Sequence, residues 1–339
     1  MLYKEFYSRI KLLSVLFNIS DVFLFLSSRV EYRSFSVLRF TMTYENFLAV
    51  ITQRVQEEMG QEYQVLLHHV LKNNATPMDG ISILKIGEKA SPTIYLNEFY
   101  KELLDEENLN GIVHKIKRIY ETHCSQMEFQ VEEFKDYQKM KGKLAVRLVN
   151  YMENQEMLKE LPFRRFLDLA MICYVLVGNV GNNTASILVR QEYRKIWKVS
   201  EEELFSQAIK NMPEILQPEL KSINTLIQEA LSGEEAASEY EYQNGEIPMY
   251  VLTNTMHFYG AAALIYPGVV SEFAESLGED LYILPSSIHE VILIPRVSDL
   301  EKHVLEQMVQ EVNQEEVEQE EQLSDHVYCY WRESGEFTL

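Results

Sequence analysis

The sequence predicts an α+β fold with mixed, largely antiparallel sheets and interspersed amphipathic helices. Three observations carry this expectation. Runs with helical spacing and β-prone runs both recur along the chain, and they do not follow the regular β-α alternation of a doubly wound sheet. The chain has 339 residues, 46% of them apolar, with 20 Tyr and 16 Phe, which is enough for one large core or two ordinary ones.

The elements come in this order. In residues 44–59, Phe47, Val50, Ile51 and Val55 recur at helical spacing, with Thr43 as the N-cap and Gly60 where a C-terminal cap belongs. Residues 63–71 and 81–86 read as an antiparallel strand pair joined by the turn-rich connector 72–80. Residues 93–96 extend briefly before a helix through Phe99, Leu103 and Leu104, and a second helix carries Ile112, Val113, Ile116, Ile119 and Tyr120 on one stripe. Residues 129–140 are helical in composition and 144–149 form a strand. The apolar run 166–177 must be buried, either as a central strand pair or as a core helix, because periodicity does not decide between them. A Gly/Asn turn over 178–183, a strand over 185–189 and helices over 191–197 and 201–210 come next, the last opened by the capping box of Ser200 and Glu203.

The final third reads most clearly. A strand is expected over 249–253, a packed small-residue element over 260–265, and a helix after Pro267 that Gly278 closes. Residues 281–284 and 291–294 are each four consecutive apolar residues, which places them as a central pair with both faces covered. A long helix begins near Ser298 and carries Val304, Met308 and Val312, and a hairpin turning on Glu333, Ser334 and Gly335 ends the chain. This divides the chain into an extension, 1–41, an N-terminal α+β subdomain, 42–160, and a C-terminal one, 161–339, with a flexible acidic loop near 232–246.

The extension differs in charge. Lys4, Arg9, Lys11, Arg29, Arg33 and Arg39 outnumber Glu5, Asp21 and Glu31 there, whereas the whole chain carries −21. Its apolar stretch, 12–26, is interrupted by Asn18 and Asp21 and is shorter than the ~20 residues of a membrane span. Three readings stand: a translation start placed too early, a peripheral helix or core element, and an export signal.

The acidic balance makes nucleic acid an unfavourable partner, since phosphate binding needs a concentrated basic surface. Cys124, Cys173 and Cys329 form no C-x-x-C pair and no even disulfide set, which fits a reducing cytoplasm. No metal or cofactor is expected. His68 and His69 are adjacent and point to opposite faces of a strand, and His114 lies nine residues from His123. Walker, Rossmann, zincin and nucleophile-elbow motifs are absent.

Three polar constellations remain. Ser286, Ser287, His289 and Glu290 lie between apolar strands and supply the nucleophile, base and carboxylate types of a hydrolase, or else a turn whose serines bond the backbone. Asn73, Asn74 and Asn254 are candidate ligand contacts if they converge with that loop. Arg190, Arg194, Lys195 and Lys198 form a basic helical face beside Tyr193 and Trp197, which holds an anionic ligand or pairs with the protein's own carboxylates, the tract 311–321 among them.

Several blocks in order carry a family resemblance: Lys72-Asn73-Asn74 before a hairpin, Ser91-Pro92-Thr93-Ile94-Tyr95-Leu96, Leu284-Pro285-Ser286-Ser287-Ile288-His289-Glu290, and Leu323-Ser324-Asp325-His326-Val327-Tyr328. From Met42 onward the chain resembles the bacterial family known as domain of unknown function 5688, whose members are typical of gut Firmicutes. Residues 260–294 are also similar, more loosely, to domain of unknown function 1444. Neither resemblance implies a catalytic residue. The expectation is a non-enzymatic cytoplasmic binding or interaction protein with a protein partner and no membrane span. The alternative is a hydrolase or transferase working through Ser286, His289 and Glu290.

Overall fold

The computed structural model describes residues 42–88, 91, 93–103, 106–124, 131–180, 183–231, 247–296 and 301–339. The extension 1–41, the acidic loop 232–246, the centre of the Gly/Asn turn and the start expected near Ser298 lie outside them. The chain divides into two compact units, one built on residues 42–140 and 176–187 and the other on 141–175 and 188–339.

The first unit opens with α1 (Tyr44–Met59), where the Thr43 hydroxyl accepts the Asn46 N–H and Gly60, at φ 81°, ends the helix. Strands β1 (Tyr63–Leu71) and β2 (Pro77–Lys85) pair antiparallel, with Tyr63 opposite Lys85 and Leu71 opposite Pro77. The connector is therefore shorter than the composition suggests: it is a 3-10 turn over Asn73–Ala75, and Pro77 to Gly80 belong to the strand. Pro77 is tolerated because it begins the strand. Gly80 is required because a Cβ there would lie 2.5 Å from the Thr93 methyl and 2.9 Å from the Ile94 carbonyl of β3 (Thr93–Tyr95), its neighbour in the sheet.

Helices α2 (Asn97–Lys101) and α3 (Glu106–Ile119) come next, then a π turn (Tyr120–Cys124). The helical stretch expected over 129–140 is two single turns, α4 (Val131–Phe134) and α5 (Tyr137–Met140), separated at Lys135 and Asp136. Phe47 and Ile51 of α1, Ile81 and Ile83 of β2, and Ile112 and Ile116 of α3 form the core. Each such fully buried side chain contributes about 1.5–3 kcal/mol.

The second unit starts with β4 (Leu144–Asn150), α6 (Gln155–Leu158), β5 (Phe163–Phe166) and the first part of β6 (Leu169–Val180); the end of β6, from residue 176, belongs to the first unit, as does β7 (Asn183–Leu188) up to residue 187. Their order is β4-β6-β5, with β7 also on β6, and β4 and β5 both run antiparallel to β6. The ambiguous apolar run thus ends one strand and supplies most of another, with Leu167, at φ 55°, and Asp168 making the turn between them. Helices α7 (Gln191–Trp197) and α8 (Glu201–Ile215) come after β7; Ser200 caps α8 by accepting the Glu203 N–H. Asn211 of α8 donates to the carbonyls of Lys141 and Leu144, at 2.6 and 3.0 Å, which seats the helix on β4.

The remaining elements are β8 (Pro218–Ser222), α9 (Ile223–Leu231), β9 (Tyr250–Asn254), a 3-10 turn (Gly260–Ile265), α10 (Val269–Leu277), β10 (Leu281–Leu284), β11 (Val291–Pro295), α11 (Lys302–Glu315), β12 (Tyr328–Trp331) and β13 (Glu336–Thr338). The six strands run in the order β13-β12-β10-β11-β9-β8, all antiparallel. Every residue of β10 and β11 is buried, as expected for a central pair. Leu305, Met308 and Val312 of α11 pack with Leu284, Ile292 and Ile294 in this core. The protein is α+β. Among the described residues no helix is long and apolar enough to cross a membrane.

Candidate functional site

Strand β9 ends on Thr253 and Asn254, and the turn beyond it is fixed by the Asn254 side chain. A single amide carries both donors and acceptors. Its oxygen accepts the N–H groups of Met256 and Phe258, at 3.0 and 3.3 Å, and its nitrogen donates to the Phe258 carbonyl at 2.9 Å. The turn so formed holds His257 and Tyr259 at φ 49° and 50°, a region costly for residues with a Cβ.

The loop between β10 and β11 docks against this turn. The Thr253 hydroxyl donates to the His289 carbonyl at 2.8 Å, and the Ser287 hydroxyl accepts the His289 N–H at 2.9 Å. The His289 ring lies nearly parallel to that of Tyr259, 6.0 Å away, with Nδ1 3.2 Å from the His257 carbonyl and Nε2 3.8 Å from a Glu321 carboxylate oxygen. Ser286 uses its carbonyl to accept the Leu323 N–H, and Glu290 sits half-buried just before β11.

Beneath the turn is a group that the sequence did not mark as a site. Ala145 lies opposite Tyr174, and Arg147 opposite Ile172, so all four share one face of the β4–β6 pair. The Arg147 guanidinium lies over the Tyr259 ring, 4.6 Å from its centre. Tyr174 is fully buried, with its ring 5.4 Å from that of Tyr259 and 6.0 Å from that of Phe258. Tyr266 ends the 3-10 turn and is 3% exposed. Arg147 Nε and the hydroxyls of Tyr174 and Tyr266 are buried without a hydrogen-bond partner among the described residues. Burial pushes the Tyr174 phenol well above its ordinary range; Tyr266 and Tyr259 add to this and Arg147 opposes it. Burial likewise raises Tyr266. The overlooked signal was an arginine in an otherwise apolar strand, Leu144-Ala145-Val146-Arg147-Leu148-Val149.

The other sequence candidates sit on other elements. Asn73 and Asn74, both buried, form the turn between β1 and β2 in the first unit, with Asn74 at φ 55°. Arg190 pairs with Glu160. Arg194 donates to the Gln191 side chain and the Val199 carbonyl, at 2.9 and 3.2 Å, while Lys195 and Lys198 are exposed. Among the described residues no three His, Cys, Asp or Glu side chains gather as metal ligands.

Two of the sequence blocks that carry the family resemblance meet here. Residues 285–288 run beside 321–324: Pro285 accepts the Ser324 N–H, Ile288 donates to Glu321, and Ser287 bridges to Gln322. A family model described as "Family of unknown function (DUF5688)" matches residues 44–332. The chain belongs to this family. No curated protein and no solved structure matches it. The DUF5688 match takes in every element from α1 to β12, and with them Arg147, the 255–259 turn and both meeting blocks.

Proposed function

We propose that this DUF5688 member is a non-enzymatic binding protein of the bacterial cytoplasm. One observation carries the reading: Ser287 and His289 of the 285–290 loop are engaged with partners inside the fold. Ser287 accepts the His289 N–H, and the two ring nitrogens of His289 face the His257 carbonyl and the Glu321 carboxylate. A nucleophile and its base need a hydroxyl within about 2.6–3.2 Å of a ring nitrogen. No such bond joins Ser286 or Ser287 to His289 among the described residues. The net charge of −21 disfavours nucleic acid and favours a protein or small-molecule partner. Cys173 and Cys329 are buried free thiols, in keeping with a reducing compartment.

The test uses two variants and two measurements. Ser287→Ala and His289→Ala should each lower stability in urea by ~0.5–3 kcal/mol, the worth of a hydrogen bond or two. Both should retain any binding found in a thermal-shift ligand screen. Variants of unchanged stability that lose binding or turnover would overturn the reading in favour of a hydrolase or transferase.

A further inference from the structure

Arg147 is unusual in this chain. Most other arginines of the second unit meet a carboxylate: Arg164 pairs with Glu202, Arg190 with Glu160, Arg296 with Asp280 and Arg332 with Glu275, while Arg165 lies over the Tyr151 ring and donates to the Leu167 carbonyl. Arg147 is half-buried, yet it makes no hydrogen bond or ion pair with any described residue, in a protein with 52 acidic residues. Its one contact of note is the face of Tyr259. Its Nε is buried without a hydrogen-bond partner among the described residues, and a polar atom enclosed in this way destabilises the fold that holds it.

Two further donors lie nearby: Tyr174 packs on the same Tyr259 ring, and Tyr266 is close enough to Tyr174 to push its phenol further up. The Tyr174 and Tyr266 hydroxyls are both enclosed, and neither has an acceptor among the described residues. A phenol O–H, a second phenol O–H and a guanidinium N–H are three donors, and the one positive charge is on Arg147. The chemical complement of that set is an oxyanion, which offers several lone pairs and a negative charge.

We infer that Arg147, Tyr174 and Tyr266 form a seat for the oxyanion of a small ligand, a carboxylate or a phosphate. This names the ligand chemistry for the binding role proposed above and rests on that reading. The seat is shut in this structure, since the three donor atoms have almost no contact with solvent. Phe258 and Tyr259, both packed on Tyr174, belong to the turn that covers it. The hydrogen bonds within that turn converge on one residue, Asn254, whose side chain holds Met256 and Phe258 and whose carbonyl holds His257. With His257 and Tyr259 at positive φ, the turn is strained as well as narrowly anchored, so it is the part of the seat able to give way to an entering anion.

The experiment is thermal unfolding of the full chain in inorganic phosphate, in acetate and in chloride at matched ionic strength. A ligand of the native state raises Tm by mass action, here by about 2 °C or more at saturating anion. The rise over chloride should appear in the wild type, vanish in Arg147→Met and shrink in Tyr174→Phe. A response to phosphate alone assigns the phosphate, to acetate alone the carboxylate, and to both a seat that reads charge. In chloride, Arg147→Met should melt no lower than the wild type, because the substitution removes an unpaired charge.

Phosphate also stabilises proteins by exclusion from their surface, and that effect moves all variants together. An equal rise in wild type and variants, or no rise with either anion in the wild type, overturns the seat. Should Arg147→Met fail to fold, Tyr174→Phe and Tyr266→Phe, which delete only the hydroxyls, decide on the same criterion. Melting does not read turnover, so failure of the seat is distinct from failure of the non-enzymatic reading.

Discussion

At Gly260 a single methyl group decides whether two loops can meet. A Cβ at this position would lie 2.1 Å from the Thr253 hydroxyl, 2.3 Å from the His289 carbonyl and 2.9 Å from the Asn254 nitrogen. Two of these atoms are backbone and cannot rotate away. The third is the donor of the Thr253–His289 bond, so relieving the clash breaks the contact that docks one loop on the other. Overpacking a tight site costs typically 1–3 kcal/mol and sometimes more, and Gly260→Ala is expected near the top of that range, about 3 kcal/mol in urea unfolding. A loss below about 1 kcal/mol would mean that the loops separate easily. The same residue explains why Asn254 and His289 were legible as candidates while their purpose was not. Both are polar residues beside apolar strands, but the approach of Gly260 that brings them to one turn depends on atoms distant in sequence.

Asp168 links elements in the way Gly260 links loops. It lies in the turn between β5 and β6, and its carboxylate accepts the hydroxyls of Ser324 and Tyr328 at 2.7 and 2.5 Å. Its carbonyl accepts the Tyr151 N–H, and Asn150 at the end of β4 donates to the Leu323 carbonyl. The turn of the smaller sheet is thereby fastened to the segment leading into β12. Tyr328→Phe removes one bond to a charged acceptor and should cost about 1.5–3 kcal/mol, read from the urea midpoint at unchanged slope. A cost near zero would show that Ser324 alone holds the carboxylate. At this scale the sequence was informative where burial was symmetrical. The continuous apolar runs of β10 and β11 and the caps at Thr43 and Ser200 are local signals that tertiary packing reinforced. It was silent where an element lies at an edge or depends on a neighbour. Strand β8, Pro-Glu-Leu-Lys-Ser, is at the margin of its sheet and has no apolar alternation to read. The start of β2 reads as a turn because Pro77, Asp79 and Gly80 are turn residues, and only the closeness of β3 gives Gly80 a strand's geometry. Arg147 escaped notice for the related reason that one cation in an apolar strand is ordinary until its lack of a counter-charge is seen.

Across the whole molecule, buried phenols couple folding to alkaline pH. Tyr174 and Tyr328 are raised well above the ordinary phenol range, first by burial, with Asp168 adding to the effect at Tyr328. Tyr266 is raised by burial alone, and Tyr44 by burial and then by the neighbouring Asp79. In each case the neutral phenol is the form the fold accepts, so the folded-state pKa lies above the unfolded value of about 10. The unfolded chain therefore gives up these protons first as pH rises. The stability these groups supply is complete below about pH 10 and is lost progressively above it, as the pH climbs toward their folded values. These phenols lie in both compact units, Tyr44 in the first and Tyr174, Tyr266 and Tyr328 in the second, so neither unit escapes the coupling. A spectrophotometric titration at 295 nm, followed in parallel by far-ultraviolet circular dichroism, should show two phases. Accessible tyrosines ionise near pH 10 with the dichroism unchanged, and the enclosed ones ionise only together with its loss. If all 20 tyrosines ionised in one reversible step near pH 10 while the dichroism stayed native, the enclosure of these four phenols would be wrong.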